Sequence, residues 1–140
     1  MRAFIHLLFF VALLLVSSCC KIGCYGTEIT ISLENYKRLE VDTLIFLGYD
    51  RNTNFSVLKD SALYVTPVPP TDTFRATHAH SINADKNWII KVPSVNKEFR
   101  FSNYDITTAR CSCGNTKYEL IRSYKVNGIE EKSLFYTLPR

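Results

Sequence analysis

The residues of this chain best equipped for chemistry are its five cysteines and two of its three histidines. His78-Ala79-His80 sets two imidazoles two residues apart. On a strand such residues point to the same side, so both could reach one metal ion, with Asp72 or Asp85 as a third ligand. No third ligand stands at a defined spacing, and two exposed histidines in a polar loop is the weightier reading. Cys20 and Cys24 form a C-x₃-C pair, and Cys111 and Cys113 a C-x-C pair. Four thiolates suit zinc, but zinc sites space both halves as C-x₂₋₄-C, and C-x-C is too tight. No helix start is evident beside C-x-C to lower a thiol pKa, which argues against a redox role. Hydrolytic machinery has no G-x-S-x-G elbow to sit on, and the five glycines form no phosphate-cradling loop. The expectation is a non-enzymatic protein without a cofactor.

The first eighteen residues are set apart from the rest. Arg2 precedes a largely apolar run from Phe4 to Val16, followed by Ser17 and Ser18. About thirteen apolar residues are too few to span a hydrocarbon core, which needs roughly 20. They match the apolar region of a secretion signal, followed by small residues. Residues 1–18 therefore read as a signal peptide, 19–27 as a short tether, and 28–140 as one domain. The 140-residue chain carries 17 Lys and Arg against 13 Asp and Glu. The leader removes one basic residue and no acidic one, leaving 122 residues with a net charge of +3. The basic residues are scattered, with only Lys37 and Arg38 adjacent, so no stripe for nucleic acid forms.

Val16-Ser17-Ser18-Cys19, placed at the end of that apolar run, resembles the lipobox of bacterial lipoproteins. The resemblance implies that Cys19 becomes the lipidated N-terminus of the mature chain, because a thiolate readily forms a stable thioether to diacylglycerol. Several acyl chains, palmitate among them, hold a protein to a membrane where one gives only marginal binding. The cysteine pair followed by a short domain rich in Tyr, Asn, Thr and Lys is similar in style to small lipoproteins of the Bacteroidota. No acidic export tag follows Cys19, which leaves both the periplasmic and the surface face of the outer membrane open. If Cys19 is lipidated, Cys20, Cys24, Cys111 and Cys113 remain, an even number that favours two disulfides in an oxidising compartment. Loops of roughly 90 residues closed in this way are worth roughly 4 kcal/mol each in the loop-entropy description. The competing reading is a secreted, disulfide-stabilised eukaryotic protein, with Cys19 itself in a disulfide and a glycan on the sequon Asn54-Phe55-Ser56.

These residues need a scaffold, and the pattern behind the leader is almost wholly of period two. Ile29, Ile31 and Leu33 alternate with Thr30 and Ser32. A strand over 39–49 is expected, with Leu39, Val41, Thr43, Ile45, Leu47 and Tyr49 on one face and Leu44 and Phe46 on the other. Phe55–Leu58 and Ser61–Thr66 read as two further strands around polar turns, before Pro67, Pro69 and Pro70 stop pairing. The run from Phe74 to Asn83 is ambiguous. Trp88–Val92, a strand at Phe99 and Phe101, and a long strand over 118–126 follow. Asn127-Gly128 calls for a type I′ turn into a partner over 129–138. The expected fold is all-β: a single antiparallel β-sandwich of the immunoglobulin or transthyretin type, with seven or eight strands. Tyr36, Tyr49, Tyr64, Trp88, Phe99, Phe101 and Tyr104 read either as a sugar- or peptide-binding face or, more commonly, as core. Expected partners are the membrane, through the lipid, and an envelope protein at an exposed edge strand.

Overall fold

The structure is a computed structural model that describes residues 26–34, 36–65, 79–110 and 117–140. Among these residues the regular elements are strands and short 3-10 turns, with no α-helix. The strands are β1 (Glu28–Glu34), β2 (Thr43–Asp50), β3 (Leu58–Val65), β4 (Ala79–Asn83), β5 (Lys86–Val92), β6 (Lys97–Arg110), β7 (Lys117–Val126), β8 (Ile129–Glu131) and β9 (Phe135–Pro139). Six of them form an antiparallel sheet in the order β3-β2-β5-β6-β7-β8. The other three form a second sheet in the order β4-β1-β9.

One core joins the two sheets. Ile29, Ile31, Ile82 and Leu138 from the small sheet cluster with Leu44, Phe46, Ile90, Phe101, Tyr124 and Val126 from the large one. The chain changes sheets between β1 and β2, between β3 and β4, at Ala84 and Asp85 after β4, and at 132–134 before β9. Ala84 is fully buried and its N–H donates to the Thr27 carbonyl at 2.8 Å, fastening the start of β1 to this crossing. Trp88 caps the same corner, with its indole N–H donating to the Asn83 carbonyl at 2.7 Å.

Several expectations are corrected. Strands over Phe55–Leu58 and Ser61–Thr66 are one strand, β3, with Phe55 and Val57 in the turn before it. Asn54 and Phe55 both have positive φ, 44° and 63°, which takes them off the strand track. The strand expected over 39–49 starts at Thr43, because Arg38–Glu40 winds into a 3-10 turn. Its buried face is Leu44, Phe46 and Gly48, while Ile45, Leu47 and Tyr49 are half-buried. The ambiguous run ends in a strand, β4. The partner of the Asn127-Gly128 turn divides into β8 and β9, which belong to different sheets. The small sheet is not antiparallel throughout, since β9 runs parallel to β1.

Two bulges offset each other in the β6–β7 pair. Asn103 and Tyr104 together oppose Tyr124, and Arg122 is the extra residue on β7, after which the register returns. The first bulge turns Tyr104 into the core. The second makes Ile121 and Tyr124 core residues although they are three apart in sequence.

Candidate functional site

The chemistry-bearing residues named from sequence are only partly within view. Cys19, Cys20, Cys24, Cys111, Cys113, His78 and Asp72 lie outside the described residues. His80 is described: it stands opposite Ile31 on β4, half-buried, with its ring 4.3 Å from that of Tyr64 and 5.2 Å from that of Phe46. Its imidazole thus closes an aromatic cluster between the edges of the two sheets. Among the described residues no three His, Cys, Asp or Glu side chains gather as metal ligands would. The aromatic residues weighed as a binding face are mostly core. Tyr36, Trp88, Phe99, Phe101 and Tyr104 are all buried, and only Tyr49 and Tyr64 reach the surface.

The best-formed polar site is a cleft of about 600 Å³ built from three chain segments. The turn after β2 supplies Asp50, Arg51 and Asn52. The crossing into β5 supplies Asp85, Lys86 and Asn87, and the β6 bulge supplies Asn103. Lys59, from the irregular start of β3, completes the lining. Backbone pairing puts these segments together: Asp50 is the register partner of Lys86, and Tyr49 that of Asn87.

Each piece of the turn is locally determined. The Asp50 carboxylate accepts from the Asn52 N–H at 3.0 Å, and the Thr53 hydroxyl donates to the Asp50 carbonyl at 2.9 Å. Short polar side chains bonding their own backbone in this way favour a turn over continued strand. Asn103 has φ 55°, a left-handed conformation that asparagine tolerates better than most residues.

The charges of the cleft are compensated within the chain. Lys59 pairs with Asp50 at 3.7 Å, and Lys86 sits between Asp60 at 3.5 Å and Asp85 at 3.4 Å. Lys86 also lies over the Trp88 ring, 5.5 Å from its centroid. This path needs Gly48 beneath it, where a Cβ would come within 2.9 Å of the Lys86 Cδ and 3.2 Å of the Trp88 ring. Arg51 donates to the Tyr104 carbonyl at 3.2 Å and covers the Tyr104 ring at 5.5 Å. Asn87, buried at 5 % exposure, donates to the Arg51 carbonyl at 3.2 Å.

Behind Arg51 lies the one buried side-chain polar atom without a hydrogen-bond partner among the described residues, the Tyr104 hydroxyl. Burial raises its pKa well above the usual phenol range; Arg51 opposes that shift, and Tyr124 and Asp85 add to it.

In the sequence, residues 50–54 and 85–87 are only polar breaks between strand patterns. The signal that would have joined them is the β2–β5 pairing, which a strand pattern alone does not specify. No family model, curated protein or solved structure matches the chain.

Proposed function

We propose that this chain is an exported, lipid-anchored protein of the bacterial cell envelope, whose β domain is a sandwich of the immunoglobulin or transthyretin type serving as a non-enzymatic interaction module. The anchoring is supported by Val16-Ser17-Ser18-Cys19 after the apolar leader. Gly26 follows Cys19 by seven residues, which span at most about 25 Å when extended and would keep the domain near the bilayer. The sandwich reading is supported by the single core that both sheets share.

One observation carries the interaction role: β3 is an apolar edge strand. Leu58, Leu63 and Val65 are 51 %, 62 % and 61 % exposed, and β3 pairs only with β2 among the described strands. Edges are usually blunted by charge, proline or a bulge. Lys59 and Asp60 do this for the first half of β3 and are themselves ion-paired, but Ser61–Val65 carries no charge. The occupant that fits is an uncharged, extended segment of another envelope protein, added as a further strand beside β3.

Two measurements test the reading. The mature N-terminal peptide should carry diacylglycerol on Cys19, lost with membrane attachment in Cys19→Ser. A photo-crosslinker at position 63 should give one discrete adduct in the producing cells, abolished by Val65→Lys and absent from the same probe at position 137. An unmodified terminus would overturn the anchor. Equal labelling at both positions would overturn the edge.

A further inference from the structure

We infer that the cleft between the turn after β2, the start of β5 and the β6 bulge is a binding site for a neutral polyhydroxyl ligand, a saccharide. Its lining, more than its size, points there. Five of its eight lining residues are Asp or Asn, short side chains with planar, fixed donors and acceptors. The turn that presents Asp50 and Asn52 is held by its own hydrogen bonds, and Asn87 is held by Arg51, so little side-chain freedom is lost on binding.

The charge state selects among ligand classes. Each of the three cations is already engaged: Lys59 with Asp50, Lys86 with Asp60 and Asp85, and Arg51 with the Tyr104 carbonyl. An anion would have to strip a lysine from its carboxylates. A divalent cation would have to strip the carboxylates from their lysines. A hydroxyl group does neither, because it donates to a carboxylate and accepts from an ammonium at once and so bridges an ion pair intact. Asp85, with a side chain 57 % exposed, is the carboxylate best placed to accept. Asn103 offers a carboxamide, and the guanidinium of Arg51 retains donors beyond the one given to Tyr104. No aromatic ring lines the cleft, so the ligand is held by hydrogen bonds and exchanges quickly.

The site shares Lys59 with the start of β3 but not the uncharged edge Ser61–Val65, and its test does not depend on the anchor. The full chain, as produced, is titrated by NMR and calorimetry with neutral di- to tetrasaccharides of glucose, mannose, galactose and xylose, and with oligogalacturonate and inorganic phosphate as anionic probes. At least one neutral saccharide is expected to bind at millimolar concentration and to shift the side-chain amide signals of Asn87 and Asn103. Asp85→Ala should weaken it roughly tenfold, the effect of losing one hydrogen bond to a charged group. Asn103→Gly, which the left-handed backbone accommodates, should weaken it as well and keep the melting temperature. It supplies the answer if Asp85→Ala fails to fold. The inference is overturned if no neutral saccharide binds, if only the anionic probes bind, or if binding is indifferent to whichever of the two variants folds.

Discussion

Two tyrosines give the core a pH limit. Tyr104 and Tyr124 are buried and stack with ring centroids 6.2 Å apart, and burial is the leading cause of a raised pKa in both. The Tyr124 hydroxyl donates to the Ser133 carbonyl at 2.7 Å, a bond that only the protonated form can make. A raised folded pKa means that the native state holds its protons where the unfolded chain releases them. The stabilisation is complete below the unfolded value, near pH 10, and is lost as pH rises through the higher folded values. Stability should therefore fall above about pH 10 by on the order of 1.4 kcal/mol per pH unit for each tyrosine. Urea titrations at pH 8, 10 and 11, beside Tyr104→Phe, check this. The Phe variant should show a shallower alkaline loss and little change at pH 8, since the hydroxyl it removes has no partner among the described residues. At Gly48 the constraint is steric. Gly48→Ala would press on Trp88 and on the Asp60 Cβ, at 3.2 Å each, and should cost about 1–2 kcal/mol in the same assay.

At the level of elements, the sequence was most informative where pattern and turn chemistry agreed. β1, β5 and β7 lie where their alternation placed them, and Asn127 and Gly128 have φ values of 51° and 86°, as the expected hairpin turn requires. Asn127 does more than turn. Its side-chain Oδ1 accepts from the Arg100 backbone N–H at 2.9 Å, tying the hairpin back to β6. Gly128→Ala should thus destabilise by about 1 kcal/mol through φ alone, with no clash, as nothing lies within 4 Å of an added Cβ. Where expectation failed, non-local bonds or backbone sign decided. Alternation runs unbroken through Leu134, Tyr136 and Leu138, yet the chain changes sheets there. Ser133 breaks it by accepting from the Phe135 N–H at 3.1 Å and donating to the Phe135 carbonyl at 2.8 Å. On β7 alternation puts Tyr118, Leu120, Tyr124 and Val126 on one face, but the bulge at Arg122 shifts it, so Ile121 is buried in place of Leu120. The cleft was the least legible feature, since its parts are scattered between Asp50 and Asn103 and meet only through strand pairing.

For the whole molecule, the closing element is the last one. β9 pairs parallel with β1, Leu138 is fully buried, and the Pro139 carbonyl accepts from the Tyr36 hydroxyl at 2.8 Å and from Lys97 at 3.1 Å. Arg140 pairs with Glu40, and the Ser32 and Thr137 hydroxyls bond at 2.9 Å. Deleting residues 134–140 would expose Ile29 and Ile31 and leave β1 with one partner. The truncated chain should lose cooperative unfolding in urea, and Leu138→Ala, a milder version, should cost about 2–4 kcal/mol.

The parallel joining of β1 to β9 also sets an order of events. β1 gains its second neighbour only when β9 has arrived, so the small sheet cannot be completed until residues 135–139 have been made. Pairing across more than a hundred residues is slow to close, because the entropy of so long a loop must be overcome before any contact offsets it. Extending the C-terminus so that residues 134–140 are held inside the ribosomal exit tunnel should leave the domain protease-sensitive, and releasing them should make it resistant.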